Sequence, residues 1–194
     1  MTTNHKKGTA ALACVAAALA TAGCGKLGKV EQGRVITYDA RTREVTLIRE
    51  PAGAARSSPG ILPPVTIETP ENPDEMGPAP AAGGLLLLDS KNRRIVIYDR
   101  AAQAFRSIAY KPLEERHNVS KSPGLPALDQ VRKTITVYSV KDRSLITFAA
   151  SDDLLAMPAD TWQAGDVVRY YYKDPARALR LMNVTRTDLS KSSG

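Results

Sequence analysis

Hydrophobic and polar residues alternate with a period of two along most of the chain, and no long helical period appears. The alternating runs are short, rich in Val, Ile, Leu, Thr and Tyr, and bounded by turn residues, which is typical of β-strands. Nine strands are predicted in this way, at residues 34–38, 44–49, 85–88, 94–98, 104–110, 134–138, 145–149, 167–172 and 179–185. One short helix is predicted at 151–158, capped by Ser151 and ended by Pro158.

A spacing of seven residues recurs between the end of one predicted strand and the start of the next. It separates Tyr38 from Val45, Leu88 from Ile95, Tyr98 from Phe105, Tyr138 from Leu145, and Tyr172 from Leu179. Asp39, Asp89 and Asp99 directly follow three of these strand ends, and an aspartate there can accept a backbone N–H two residues further on. The sequence therefore predicts five tight hairpins, each with basic residues at its tip.

Two proline-containing stretches interrupt the strand pattern. Residues 51–84 hold eight of the 13 prolines, and residues 111–127 form a second irregular loop. We expect 51–84 to pack on the sheet, with 61–67 as an extended or edge segment, because proline cannot donate to a central ladder. The predicted fold is all-β, an antiparallel hairpin or meander barrel or sandwich. Its single helix ahead of the last strands suggests an OB-like architecture.

The first 24 residues have the pattern of an export signal. Lys6 and Lys7 precede an uncharged, Ala-rich run over 8–23, which is too short for a stable transmembrane helix. The ending Thr21-Ala22-Gly23-Cys24 resembles a bacterial lipobox, in which the cysteine is lipidated and the signal is cleaved just before it. We predict a signal peptide at 1–23 and lipid chains such as palmitate on Cys24. A tether at 24–32, an all-β domain at 33–189 and a disordered tail at 190–194 would follow.

Composition narrows the possible partners. Of the 194 residues, 27 are basic and 20 acidic, and removing residues 1–23 leaves 25 against 20, a net charge of about +5. This mild excess indicates a solubilising surface, so we predict no nucleic-acid partner. Cys14 lies in the signal and Cys24 carries lipid, which leaves no disulfide and no free thiol in the mature chain. Gly25, rather than Asp, follows the lipidated cysteine and favours the outer membrane, at its periplasmic face.

Candidate chemistry is sparse in the predicted domain. Its single histidine, His117, is predicted to be a solvated loop residue, and no G-x-S-x-G elbow or phosphate-binding glycine loop is present. Two weak metal hypotheses remain, calcium at four clustered carboxylates and copper at a methionine near Trp162. The residues concerned are Glu68, Glu71, Asp74, Glu75 and Met157.

Two further hypotheses concern surface residues. A hydrolase would require carboxylates to converge in a pocket, and the candidates are Asp152, Asp153, Asp160 and Asp166. An exposed tyrosine pair around Tyr171, or the basic tip at Arg93 and Arg94, could bind a ligand. For the tyrosines we favour ordinary strand composition with one ring in the core. Trp162 is predicted to fill the core with its N–H bonded to a backbone carbonyl.

The segment 155–169, with 171–173 and 178–184, resembles an uncharacterised family of lipoproteins from sulfate-reducing bacteria, a domain of unknown function. Residues 62–66 and 74–78 match as well. The resemblance implies a lipid anchor and makes the proline-rich segment part of the domain, but it carries no known activity. We therefore expect a non-catalytic binding or scaffold module in the cell envelope, with no cofactor and with a possible envelope protein as partner. A periplasmic metal-binding protein and a carboxylate-dependent hydrolase are the alternatives.

Overall fold

The computed structural model describes residues 27–49, 62–140 and 142–187. The predicted signal peptide, Cys24, the first part of the proline-rich segment and the C-terminal tail lie outside these residues. Among the described residues, no helix has the length and apolar character needed to cross a membrane. The elements are β1 (Lys29–Asp39), β2 (Glu44–Arg49), β3 (Val65–Glu68), β4 (Leu85–Asp89), β5 (Arg94–Asp99), β6 (Ala104–Ala109), β7 (Pro112–Arg116), β8 (Ala127–Asp129), β9 (Thr134–Ser139), β10 (Ser144–Ala149), α1 (Asp152–Leu155), β11 (Val167–Asp174) and β12 (Arg177–Asn183).

Five strands close into a small barrel in the order β1-β2-β3-β12-β11. All neighbours are antiparallel except β3 and β12, which run parallel. Counted along the barrel alone, the order is 1-2-3-5-4 with a parallel contact between the third and fifth strands, the arrangement of OB-type barrels. The prediction of an all-β fold with a barrel is confirmed.

The part of the chain between β3 and β11 forms two further sheets. One contains β4-β5-β6 and the other β7-β10-β9-β8. Their inner faces share one core that includes Ile95, Ile97, Ile135 and Phe148. Residues on the outside of the barrel, Ile36 and Ile48, pack with Tyr98 of β5, so the inserted sheets rest on the barrel wall.

Trp162 lies at the centre of the inserted core. Its side chain is fully buried, and its ring centroid is 5.9 Å from that of Phe148. The indole Nε1 has no hydrogen-bond partner among the described residues, so the predicted bond to a backbone carbonyl is wrong. A cavity of about 40 Å³ is lined in part by Trp162.

The hairpins follow the predicted spacing closely. Tyr38 pairs with Val45, Leu88 with Ile95, Tyr98 with Phe105, and Tyr138 with Leu145. Tyr172 instead pairs with Ala178, because the ladder between β11 and β12 shifts register there. The spacing also joins Leu128 to Ile135, a hairpin that the sequence pattern did not single out.

Most of the turns share one design. An aspartate at the first position accepts N–H groups two or three residues on, as Asp39 does from Arg41 at 2.8 Å and Asp99 from Ala101 at 3.0 Å. In the β9–β10 turn the Ser139 hydroxyl takes this place and accepts the Asp142 N–H at 3.2 Å. The residue before the next strand has a positive φ in five hairpins, between 48° and 58°. These residues are Arg43, Arg93, Gln103, Lys133 and Arg143. Side-chain acceptance of turn N–H groups offsets part of the cost of this left-handed conformation.

Three strands were not predicted, and their positions correct the loop assignments. β3 lies within 51–84 and joins β2 to β12, so it is a full member of the barrel and not an edge. β7 and the start of β8 lie within the stretch predicted as the second loop, 111–127. β1 begins at Lys29, so the last four residues of the predicted tether belong to the barrel. The Ser151 side chain bonds to Asp153 and makes no helix cap.

Candidate functional site

A polar cluster closes one end of the barrel, where β1 begins and β2 ends. Glu31 accepts hydrogen bonds from the hydroxyls of Tyr170 and Tyr172, both at 2.8 Å. Arg49 approaches the same carboxylate at 3.5 Å. The two rings lie inside the barrel, stacked with centroids 5.5 Å apart. We call Glu31, Arg49, Tyr170 and Tyr172 the barrel-end cluster.

The cluster holds Glu31 in its ionised form. Burial acts to raise the pKa of Glu31, but the hydrogen bonds from Tyr172 and Tyr170 and the charge of Arg49 outweigh it and lower that pKa. The pKa of Tyr170 is raised, first by burial and then by its hydrogen bond to the carboxylate. The pKa of Tyr172 is raised as well, first by its hydrogen bond to Glu31, so both hydroxyls stay protonated and donate to the carboxylate.

The tyrosine triplet has the expected alternation but not the expected exposure. Tyr170 and Tyr172 are buried in the barrel, and Tyr171 lies on the outer face. The suggestion of an exposed tyrosine pair is wrong, and two rings, not one, enter the core. Tyr171 packs against Gly28, where a Cβ atom would lie 2.1 Å from the ring.

Of the four carboxylates proposed to bind calcium, three pair with arginines instead. Arg177 bonds to Glu68 at 2.8 Å and approaches Glu71 at 3.3 Å, and Arg43 lies within 3.9 Å of both. Glu75 pairs with Arg180 at 3.0 Å. The remaining candidate, Asp74, lies in a 3-10 turn over Pro73–Glu75.

No metal-binding arrangement is visible near these residues. Within the described ranges, no group of three or more His, Cys, Asp or Glu residues is placed to hold a metal ion. Met157 packs against the inserted core and borders a groove of about 290 Å³. Metal binding at these positions stays a prediction.

The four carboxylates proposed for a hydrolase each have a different cationic partner. Asp152 pairs with Lys133 at 2.5 Å, Asp153 with Arg106 at 2.9 Å, Asp160 with Arg100, and Asp166 with Arg186 at 2.7 Å. Hydrogen bonds from Ser151 and then Arg106 lower the pKa of Asp153. A general acid at neutral pH needs the opposite shift.

Asp166 joins the proline-rich segment to the barrel. It is 7% exposed, and its Oδ2 accepts from the Ala81 backbone N–H at 2.8 Å and from the Asn183 amide at 2.9 Å. With the Arg186 pair, one oxygen has three donors. The Asn183 amide also donates to the Pro78 carbonyl at 3.2 Å. This network explains the burial of Asp166 structurally.

The structure brings together a serine, a histidine and a glutamate that the sequence analysis did not connect. His117 Nδ1 lies 3.0 Å from Ser144 Oγ, and its Nε2 lies 3.5 Å from Glu115 Oε1. Ser144 is only 1% exposed, and its hydroxyl donates to the Asp142 carbonyl at 3.0 Å. A substrate cannot reach this oxygen. The three residues therefore resemble a catalytic triad in their arrangement but lack an accessible nucleophile.

The predicted basic binding residues differ in their surroundings. Arg93 forms a salt bridge with Glu115, next to the same histidine. Arg94 is exposed at the start of β5 and opposite Ala109 in the ladder. Both side chains are exposed, and Arg94 lies opposite Asp89 on its other side.

Comparison with known proteins gives a family but no activity. No curated protein and no solved structure gives a significant match to the chain. A family model does match, over residues 26–192, which cover every strand of the barrel and of the inserted sheets. The chain therefore belongs to the family described as a domain of unknown function, DUF4881.

Proposed function

We propose that this protein is a lipid-anchored lipoprotein of the bacterial cell envelope whose body acts as a non-catalytic binding or scaffold module. The observation that carries the proposal is the junction between Cys24 and the barrel. β1 begins at Lys29, five positions after the lipobox cysteine, and Leu27 is 93% exposed. A folded body that starts directly after a lipidation motif is typical of a tethered domain.

The contacts within the body support a non-catalytic role. The acidic residues that suggested a hydrolase are held in separate ion pairs, and the serine beside His117 is buried. The hairpin tips, in contrast, present charged side chains on a rigid scaffold, where binding residues commonly lie. Attachment to the outer membrane, facing the periplasm, is part of the proposal.

The anchor is tested by comparing two cysteine variants in cells. Cys24→Ser removes the thiol that would carry the lipid, whereas Cys14→Ser changes only the apolar run of the signal. We expect Cys14→Ser to incorporate labelled palmitate and Cys24→Ser to incorporate none. Equal incorporation by both variants, or none by either, would refute lipid anchoring through Cys24.

The binding role is tested with a photo-crosslinking amino acid placed at Arg94 in cells. The matched control position is Glu114, whose side chain is 60% exposed on β7, away from the hairpin tips. We expect a discrete adduct from position 94 that is absent from position 114. If neither position 94 nor any hairpin tip gives an adduct beyond the lipoprotein-processing machinery, the binding role is wrong.

A further inference from the structure

The outer surface of β1 and β11 near the start of the barrel combines exposed apolar and basic residues. Val30, 62% exposed, lies opposite Tyr171 in the ladder, and both side chains face away from the barrel core. Leu27 precedes them, and Arg169 and Lys173 flank Tyr171 on the same face of β11. We call Leu27, Val30, Arg169, Tyr171 and Lys173 the anchor face.

The route of the chain fixes the position of this face relative to Cys24. The Gly28 backbone packs so closely on the Tyr171 ring that any Cβ atom there would clash. The chain that leads back toward Cys24 therefore begins at the edge of the anchor face. Only Gly25 and Lys26 separate Cys24 from Leu27. Three residue steps span at most about 11 Å of extended chain. A lipid on Cys24 therefore keeps Leu27, at the edge of the anchor face, within about 11 Å of the lipidated residue.

The charges on and around the face have one dominant sign. Arg169 and Lys173 are exposed on the face, whereas Lys29, also exposed at the start of β1, lies opposite Tyr172 in the ladder and so belongs to the other face of that strand. Arg180, opposite Tyr171 in the ladder, is paired with Glu75, and Asp174, which directly follows Lys173, lies opposite Arg177 and accepts the Ala176 N–H. Basic side chains around tyrosine and aliphatic groups suit the boundary between anionic headgroups and acyl chains.

We propose that the anchor face lies directly on an anionic phospholipid surface and fixes the orientation of the body on the membrane. This inference rests on the proposed lipidation of Cys24. In this orientation the start of β1 and the end of β11 face the bilayer. Tyr171 and Val30 contribute apolar contact, and the basic residues contribute electrostatic attraction.

The test uses the mature lipidated chain in vesicles of phosphatidylethanolamine and phosphatidylglycerol. Because the mature chain has no cysteine other than the lipidated one, Tyr171→Cys and Val131→Cys each provide a unique site for a fluorophore. Brominated acyl chains should quench the label at position 171 and leave the label at position 131 unquenched. Val131 is a matched control because it is exposed and is followed by two basic residues.

The electrostatic part is tested with Lys173→Ala and with vesicles of phosphatidylcholine, with the label placed at Val30→Cys. Removing one basic residue should lower the ratio of docked to undocked protein about fivefold. Phosphatidylcholine should lower it further. Equal quenching of positions 171 and 131, or a label at 171 that is shielded without being quenched by lipid, would overturn the proposal.

A failed orientation is distinguishable from a failed anchor. The mass of the N-terminal peptide reports lipidation independently of quenching. If cells do not acylate Cys24, coupling a maleimide phospholipid to the Cys24 thiol restores the tether. A fluorescent non-canonical amino acid, in place of a second cysteine, then labels position 171 or 131 for the same quenching comparison. An acylated chain without selective quenching at 171 refutes only the orientation.

Discussion

Replacing Glu31 by alanine removes the acceptor shared by two buried hydroxyls. Tyr170 and Tyr172 are 3% and 8% exposed, and each donates to the carboxylate at 2.8 Å. Hydrogen bonds to a charged group contribute about 1.5–3 kcal/mol each, and unsatisfied buried donors cost about 1–3 kcal/mol. Because the cluster lies at the barrel end, water can replace part of the loss. We expect Glu31→Ala to lower the free energy of unfolding by about 2–4 kcal/mol.

Urea unfolding followed by circular dichroism measures this change. At about 2–4 °C per kcal/mol for a chain of this size, the thermal midpoint should also fall by about 10 °C. The control is Glu114→Ala on β7, whose carboxylate is 60% exposed and pairs with Arg116 at 3.1 Å. Its unfolding free energy should change by no more than about 0.5 kcal/mol.

The pH dependence gives the cluster an independent test. The pKa of Glu31 is lowered from its ordinary value of 4.5. Its ionisation therefore makes its full contribution to the stability of the fold at any pH above about 4.5. The contribution is lost as pH falls through the lowered value. Glu31→Gln should therefore have a lower free energy of unfolding than the wild type at neutral pH, and this difference should disappear in acid. A deficit that is constant from pH 7 to pH 3, or an alanine variant as stable as the wild type, would refute the role assigned to the carboxylate.

Three further substitutions test the packing, each by the urea midpoint. Gly165→Ala should destabilise by about 3 kcal/mol or prevent folding, because its Cβ would lie 1.8 Å from the Val35 carbonyl oxygen; an unchanged midpoint would contradict that close approach. Asp166→Ala should cost about 3 kcal/mol by stranding its three donors, and a cost under about 1 kcal/mol would show that water replaces them. Phe148→Ala should cost about 3–5 kcal/mol in the inserted core, and a small effect would mean that the two sheets do not share it.

The hairpins could be predicted because their information is local. A strand end and a strand start seven residues later define each turn within one short segment, and in three of the five an aspartate directly follows the strand end. Asp129 and Lys133 repeat the same design before β9, so the missed β8–β9 hairpin was also readable from the sequence. The register of the last hairpin was misjudged because a bulge in the ladder leaves no mark in the seven-residue spacing.

The closure of the barrel could not be predicted from local sequence patterns. β3 follows Pro63 and Pro64 and has only four residues, and its pairing partners lie far apart in the sequence. β7 begins at a proline on the edge of its sheet, a position that tolerates the missing N–H. Because of its prolines, β3 was predicted only as an extended or edge segment and β7 was assigned to a loop.

The barrel-end cluster was missed for a related reason. Glu31 lies 139 residues from one tyrosine and 141 from the other, and only the closed barrel brings them together. The readable signal was the two-residue spacing of Tyr170 and Tyr172, which places both rings on one face of a strand. A buried tyrosine pair needs an acceptor for its hydroxyls, but the sequence does not say which residue supplies it.

The mass of the N-terminal peptide of the mature protein, purified from bacterial membranes, tests the account most directly. We predict a chain that begins at Cys24 and carries a diacylglyceryl group on its sulfur. A peptide that begins at another residue, or an unmodified Cys24 in membrane-derived protein, would contradict the lipid anchor and the membrane orientation built on it.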